Sequence, residues 1–493
     1  MKYIIGVDIG TSGTKAIAFT IDGTVLYSSH ISYETISLHQ GENEIDPEVL
    51  LDATVKTIAR VFEKTGSKKS CVGISFSCAM HSLLVVDKNT KPLTNVITWA
   101  DLRSKDYAKK LRDTPEGEKI YWHTGTPVHA MTPLCKLMWM KDHQPKIFQK
   151  AHKFISIKEY IWFRFFEKFQ VDYSIASGTG LFDIRLFKWY KDALEMAGIT
   201  EDILSTPVTT LHIETNLVKK YQNKMNLPDG LPFVIGGSDG VLANLGSGAI
   251  EPGELALTIG TSGAVRMTSP SPQHDAKKRI FNYILTENLY VSGGPANNGG
   301  NVIKWYVDNF MKKSKSRKDD LSKYLKEVAD IPPGSNGLIF LPYVFGERAP
   351  VWDADAKGVF LGIQSNHTAQ HFLRAVMEGV NLSLYEIGLS VEETIGPAKE
   401  IYASGGFIQS KLWLQMIADI FNKKVRVMNV ADASAIGAAA LGLLALGNIS
   451  NLEQIKKMIK VTHTYNPNKK NRTAYMKNYS TFSQLYGILK GYM

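Results

Sequence analysis

Ile9-Gly10-Thr11-Ser12-Gly13 recurs residue for residue as Ile259-Gly260-Thr261-Ser262-Gly263, once near the front of each half of a 493-residue chain. Each copy follows an apolar run that reads as a strand, Tyr3 to Ile9 and Leu255 to Ile259. Each precedes another such run, Lys15 to Ile21 and Ala264 to Met267. A glycine-containing connection between strands can be an ordinary hairpin turn, for which glycine is the default residue. It can also be a phosphate cradle, because small side chains let backbone N–H groups approach an anion while Thr and Ser hydroxyls add donors. Two identical copies opening two similar halves favour the cradle.

The second half repeats the plan of the first. In the first, strand, turn and strand lead through Asp22-Gly23 to a helix start at Asp46-Pro47-Glu48. Asp46 can accept a bond from a free backbone N–H there, and Pro47 loses nothing at the first helical position. Leu51, Val55, Ile58 and Phe62 continue at helical spacing. Cys71 to Phe76 and Leu83 to Val86 read as strands, with Met80 and His81 in their connection. The second half begins near Glu251-Pro252-Gly253 and adds strand-like runs at Ile280 to Leu285 and Leu289 to Ser292. Near the end, Glu400 to Ala403 reads as a strand, followed by Gly405-Gly406 and a helix with Leu412, Trp413, Met416, Ile417, Ile420 and Phe421 on one face. The expected fold class is α/β, with two similar domains over residues 1–248 and 249–493 and a nucleotide cleft between them. By analogy this is the actin, heat-shock ATPase and sugar-kinase architecture, ribonuclease H-like in each half.

Composition narrows the function. Hydrophobic content of 44% with 21% charged residues describes a soluble globular chain. The formal net charge of +10 favours anionic ligands. Part of it is local, in Lys312, Lys313, Lys315, Arg317 and Lys318, a stretch that reads as a solvated face because no basic-aromatic motif marks a nucleic-acid site. Three cysteines, Cys71, Cys78 and Cys135, make no disulfide framework and fit a reducing compartment. Asp8 interrupts the N-terminal apolar run, which makes it a poor signal peptide. Ala435 to Gly447 falls short of the ~18 residues of a membrane span and reads as a closely packed buried helix. The expectation is a cytoplasmic protein with no membrane or nucleic-acid partner.

Val7 to Lys15, Gly236-Gly237-Ser238-Asp239-Gly240, Gly346-Glu347-Arg348-Ala349-Pro350, Arg374-Ala375 with Glu378-Gly379, and Ala403-Ser404-Gly405-Gly406 together resemble the FGGY carbohydrate kinases. Within them the chain is most similar to the gluconate kinases. That likeness rests on Met80-His81-Ser82, Thr98-Trp99-Ala100-Asp101 with Arg103, Gly125-Thr126-Pro127-Val128-His129 and Pro133-Leu134-Cys135-Lys136. Xylulose kinases share the Met-His and Trp-x-Asp-x-Arg arrangements, so discrimination rests mainly on the segment from Gly125 to Lys136. The resemblance implies ATP-dependent phosphorylation of a sugar acid, magnesium as cofactor and a dimer.

Phosphoryl transfer needs an acceptor hydroxyl and γ-phosphate held in line, neutralised charge and a base. The resemblance makes Asp239 the base, whereas its setting alone favours a helix cap. Asp8 stands where the second copy has Thr258, an asymmetry that makes it the magnesium candidate, either directly or through water. A carboxylate bonded to turn amides is the alternative. The resemblance places Gly10, Thr11, Ser12, Gly13 and Lys15 near the terminal phosphates of ATP, with Gly260 and Thr261 opposite. Gly405 and Gly406 would admit the nucleotide, as would Gly299 in Asn298-Gly299-Gly300. Ser410 can reach it or merely cap a helix. For the acceptor, His81 and Asp101 offer hydrogen bonds to hydroxyls and Met80 packs on the carbon chain. Arg103, His129 and Lys136 are the candidates for its carboxylate, with Arg best suited by geometry. Glu347 and Arg348 fit an ion pair at a domain hinge as well as a ligand contact. His367 and His371 have the spacing of a helical zinc pair but no accompanying glutamate, and read as surface or packing residues. Xylulose or another polyol is the rival acceptor. An actin-like protein without sugar kinase activity is the rival class.

Overall fold

The computed structural model describes residues 1–65, 70–311, 321–429 and 432–493, without the side chains of 321–323 and 429. The basic stretch Lys312 to Lys318 lies outside the described residues. Two large sheets organise the chain. The first has six strands in the order Ile213–Glu214, Phe233–Ser238, Cys71–Cys78, Tyr3–Ile9, Gly13–Thr20 and Val25–Ser32. The second has seven, in the order Phe281–Thr286, Leu289–Ala296, Gly263–Ser269, Glu254–Ile259, Glu400–Ser404, Lys424–Asn429 and Lys460–Tyr465.

Both sheets are built round the repeated unit. Tyr3–Ile9 runs antiparallel to Gly13–Thr20 and parallel to Cys71–Cys78. Glu254–Ile259 runs antiparallel to Gly263–Ser269 and parallel to Glu400–Ser404. These central strands are almost entirely buried, as strands covered on both faces must be. The two turns differ in one respect that their identical residues conceal. Ile9 pairs with Thr14, whereas Ile259 pairs with Gly263, so the first connection is one residue longer than the second.

The expected helix after Asp46 spans Pro47–Lys64. The Asp46 side chain accepts from Glu48 N at 2.8 Å, and Pro47 sits in the first turn. The small-residue run near the end forms the helix Ala433–Ala445, and no described helix is long and apolar enough to cross a membrane. This helix crosses from the second half of the chain to pack on the first sheet and on the helix Asp239–Gly246. One hydrophobic cluster accordingly runs through both halves, joining Ile4, Leu242, Leu245, Ala438 and Tyr283.

One family-like segment, Arg374 with Glu378, is scaffold, and the histidine pair is local packing as expected. In the helix Ala369–Ile395, Arg374 and Glu378 form a buried pair at 2.9 Å. Glu378 also accepts from Gly334 N and Ser335 Oγ, and Arg374 donates to Tyr475 Oη. The rings of His367 and His371 act locally, each accepting a backbone N–H at Nδ1, from Gln364 and Thr368.

Candidate active site

Parallel strands end at the same edge of their sheet, and ligand groups gather there in α/β folds. Asp8, Ser77 and Ser238 lie at that edge of the first sheet, with Asp239 opening the next helix. Asp8 Oδ1 accepts from Ser77 Oγ at 2.7 Å. The second sheet has Thr258 and Ser404 in the corresponding register, their hydroxyls 2.9 Å apart. The repeat is thus preserved except that a carboxylate replaces a hydroxyl. Burial pushes the Asp8 carboxyl up to about 8, helped by the nearby charges of Asp432 and Asp239.

Asp239 is the first residue of its helix. Ser238 holds the cap position, so Asp239 is not the cap itself; its Oδ1 accepts from Gly240 N at 2.7 Å. Burial raises its carboxyl, against the opposing pull of Gly240 N–H, Arg266 and Arg348. Asp432 caps the helix Ala433–Ala445 by accepting from Ala435 N at 3.0 Å, and it pairs with Lys15 Nζ at 2.7 Å. It is not among the residues expected at the site, yet through Lys15 it ties the strand after the first glycine turn to a helix from the far end of the chain.

The second turn is enclosed by glycines. Gly405 has φ +99°, and a Cβ there would stand 2.8 Å from the Ile259 carbonyl carbon. A Cβ on Gly299 would stand 2.6 Å from the Ser262 carbonyl carbon, and Gly300 N donates to Gly260 O at 2.9 Å. Gly260, Thr261, Gly405 and Gly406 are all exposed, as is Ser12 in the first turn. Ser410 caps the helix Lys411–Phe421, its hydroxyl accepting from Trp413 N at 3.3 Å. The geometry assigns that hydroxyl to capping.

On the acceptor side, Met80 and His81 are buried, and His81 adopts φ +65°. His81 Nδ1 donates to Gly178 O at 2.7 Å, leaving Nε2 as the acceptor 3.4 Å from Tyr283 Oη. Burial holds this ring neutral, its pKa pushed down to about 3. Two of the three carboxylate candidates are already engaged. Arg103 meets Asp101 at 2.8 Å, Glu44 at 2.5 Å and Glu42 at 3.5 Å, and lies over Trp139. Lys136 donates to His81 O at 2.6 Å and Thr98 O at 2.7 Å, and burial pushes its ammonium down to about 7. Asp101, buried, spends its oxygens on Arg103 and Asn43 N. His129 accepts from Met131 N at 3.1 Å and is held neutral by burial and by Arg112 and Arg348; its Nε2 has no partner.

Glu347 and Arg348 do not form the expected side-chain ion pair. Glu347 accepts from Asn297 N, Asn298 Nδ2 and the backbone N of Arg348. The Arg348 guanidinium turns away, over the Trp99 ring at 4.8 Å and onto Ala296 O at 3.3 Å. Successive side chains on extended backbone point to opposite sides, which separates neighbouring charges of this kind. With Arg266, which the sequence analysis does not single out, Arg348 brings positive charge to Asp239 from the second half.

The N-terminal domain model of the FGGY family of carbohydrate kinases matches residues 3–246, and the C-terminal domain model matches residues 255–446. The gluconokinase of Bacillus licheniformis is 42% identical over 495 residues, covering 99% of this chain and 96% of that protein. The gluconate kinase structure from Lactobacillus acidophilus superposes with a TM-score of 0.94 at 33% identity, over 99% of this chain and 98% of that one. A ligand-bound xylulose kinase structure from the same organism gives a TM-score of 0.94 at 33% identity, over 99% of both chains.

Proposed function

The chain belongs to the FGGY family of carbohydrate kinases, and from that premise we propose that it transfers the γ-phosphoryl group of ATP to the terminal hydroxyl of gluconate. The observation that carries the reading is Asp239, a carboxylate that opens the helix after the strand Phe233–Ser238, with one oxygen fixed by Gly240 N–H and arginine charge beside it. In the proposed step Asp239 accepts the proton of the acceptor hydroxyl as its oxygen bonds to the γ-phosphorus. The bond from that phosphorus to the bridging oxygen breaks, and ADP leaves with the electron pair. Identity of 42% to a gluconokinase supports gluconate over xylulose.

The two turns fit a triphosphate. Gly10, Thr11, Ser12 and Gly13 with Lys15 would face the terminal phosphates, and Gly260 and Thr261 would face them from the other half. Gly299 and Gly405 let their backbone lie against the second turn, where a Cβ would collide with it, and Gly406 has open space about it. Asp8 suits magnesium, a hard cation that takes carboxylate, phosphate and water oxygens. Magnesium would supply neutralisation of the charge that develops on the phosphoryl oxygens. Lys15, held by Asp432, would keep a fixed positive charge at the first turn. Met80, His81 and Asp101 would shape the acceptor pocket, with His81 Nε2 accepting from a hydroxyl. The three cysteines, all free and buried, support a reducing cytoplasmic setting.

The test is ADP release from MgATP with gluconate, xylulose, ribulose, glycerol or no acceptor in parallel. Stimulation by gluconate above the others is expected, and Asp239→Asn should lower kcat by about 10²–10⁴-fold without loss of fold. Preference for xylulose would overturn the acceptor. Near-wild-type turnover in Asp239→Asn would remove that residue from the role of base.

A further inference from the structure

Two arginines of the second half stand near Asp239 with donors that meet no partner among the described residues. Nε and Nη1 of Arg266 and Nε of Arg348 are buried and unbonded. Arg348 is about nine-tenths buried as a residue, at 9% exposure. An enclosed guanidinium without a matching anion destabilises the fold, and open donors add to that cost. The other cations around this wall are matched: Arg103 by carboxylates, Lys136 by carbonyl oxygens and Lys15 by Asp432. Asp239 lies near both arginines, yet neither forms an ion pair with it among the described residues.

The site is built to hold these side chains where they are. Arg266 stands in the strand Gly263–Ser269 opposite Gly293, where a Cβ would come 2.8 Å from Arg266 Cα and 3.0 Å from its Cγ. A Cβ on Gly240 would be 3.5 Å from Arg266 Nη2, which puts the guanidinium beside the residue that follows the proposed base. Arg348 is steadied over the Trp99 ring and by its bond to Ala296 O, which leaves Nε open. Burial holds Arg348 down to about 10, and Arg266 adds to this against the opposing pull of Glu347, Tyr283 and Asp239.

We propose that the missing anion is the carboxylate of the acceptor, bound by Arg266 and Arg348. This rests on the reading of the acceptor as gluconate and replaces Arg103, His129 and Lys136 as the carboxylate's partners. Selection follows from the cost of leaving the pair open. A sugar acid supplies the counter-charge that two like charges lack, and a neutral polyol of the same length leaves both guanidiniums enclosed and unmatched.

The experiment compares gluconate with glucitol, which carries a hydroxymethyl group in place of the carboxylate. Binding is followed by intrinsic tryptophan fluorescence in the presence of ADP, and kcat/KM by ADP release. Arg266→Gln and Arg348→Gln should each reduce the preference for gluconate over glucitol by about 10²-fold, the value of a charge-assisted contact. Arg266→Lys, which keeps the charge, should retain part of it and covers the case in which a Gln variant fails to fold. An undiminished preference in the variants would overturn the proposal. So would an equal loss towards both ligands, which would mean that the arginines serve the base or the pocket as a whole. A wild-type protein that ignores gluconate and phosphorylates xylulose overturns the acceptor reading itself, before any variant is made.

Discussion

Gly437→Ala should damage both stability and turnover, although alanine is the better helix former. Gly437 lies in the helix Ala433–Ala445 where it crosses Asp239–Gly246. A Cβ there would overlap the Leu242 carbonyl oxygen and stand 2.8 Å from the carbonyl carbon. Ordinary carbon–carbon contact is about 3.5–4.0 Å, so the helices must part by roughly 1 Å. Overpacking of this kind costs about 1–3 kcal/mol, against a helix-propensity gain of about 1 kcal/mol. The functional effect should exceed the effect on stability. Asp239 opens one of these helices, and Asp432, which grips Lys15, caps the other. Parting them moves the proposed base relative to the first phosphate turn, and a displacement of about 1 Å can cost about 10²-fold in rate. Thermal unfolding and kcat from ADP release would be measured on the purified variant. A raised melting temperature with unchanged kcat would refute the reasoning, because it would mean that the crossing carries no positional information.

Gly487→Ala is the matching control. That glycine is exposed in the helix Lys469–Leu489 with nothing within 4 Å of a Cβ, so urea unfolding should show a gain of about 0.5–1 kcal/mol and activity should not change. Lys136→Met removes the donor that joins His81 O to Thr98 O and leaves buried carbonyls open; a lower melting temperature and a raised acceptor KM are expected. For Asp8 the folded pKa, about 8, exceeds the unfolded value of 3.8, so the folded state holds the extra proton between them. Stability from this group is therefore present below about pH 4 and is lost as pH rises to about 8. Without magnesium, Asp8→Asn should be more stable than wild type at pH 8 and should lose that advantage near pH 4 in urea titrations. Magnesium at pH 8 should stabilise wild type alone.

Much of this was legible in the sequence because apolar runs and turn residues are local signals. Tyr3–Ile9 was read to the residue, the helix after Asp46 was announced by its cap and proline, and the Ala-rich run near the end was read as a packed helix. The unequal length of the two turns was not legible, since the register of a hairpin is fixed by its pairing and not by the five residues the copies share. Asp432 carries the ordinary signal of a residue before a helix, but nothing local announces its bond to Lys15, 417 positions away. Arg103 and Lys136 were read as ligand cations because a free cation and a matched one look alike in sequence. Arg266 had a usable signal, a lone charge inside the apolar run Ala264 to Met267. A charge kept within a buried strand calls for an anion, and among the described residues Asp239 acts on it from nearby without forming an ion pair.

The duplication also shows where function broke the symmetry. Counting from the repeated turn, Asp8 corresponds to Thr258 and Arg266 to Ala16. The first half has gained an acid where its copy is neutral, and the second has gained a base where its copy is apolar. Each charge sits on a central strand beside its turn, where burial magnifies its effect. Asp432 and Asp239 add to burial in raising the Asp8 carboxyl, so under the proposed function an anionic nucleotide at the first turn would call for a cation on that side. A sugar acid at Arg266 and Arg348 would meet the opposite charge. On the proposed reading the arrangement would sort two anionic substrates by charge: one would come with a metal, and the other would supply the charge that the arginines call for.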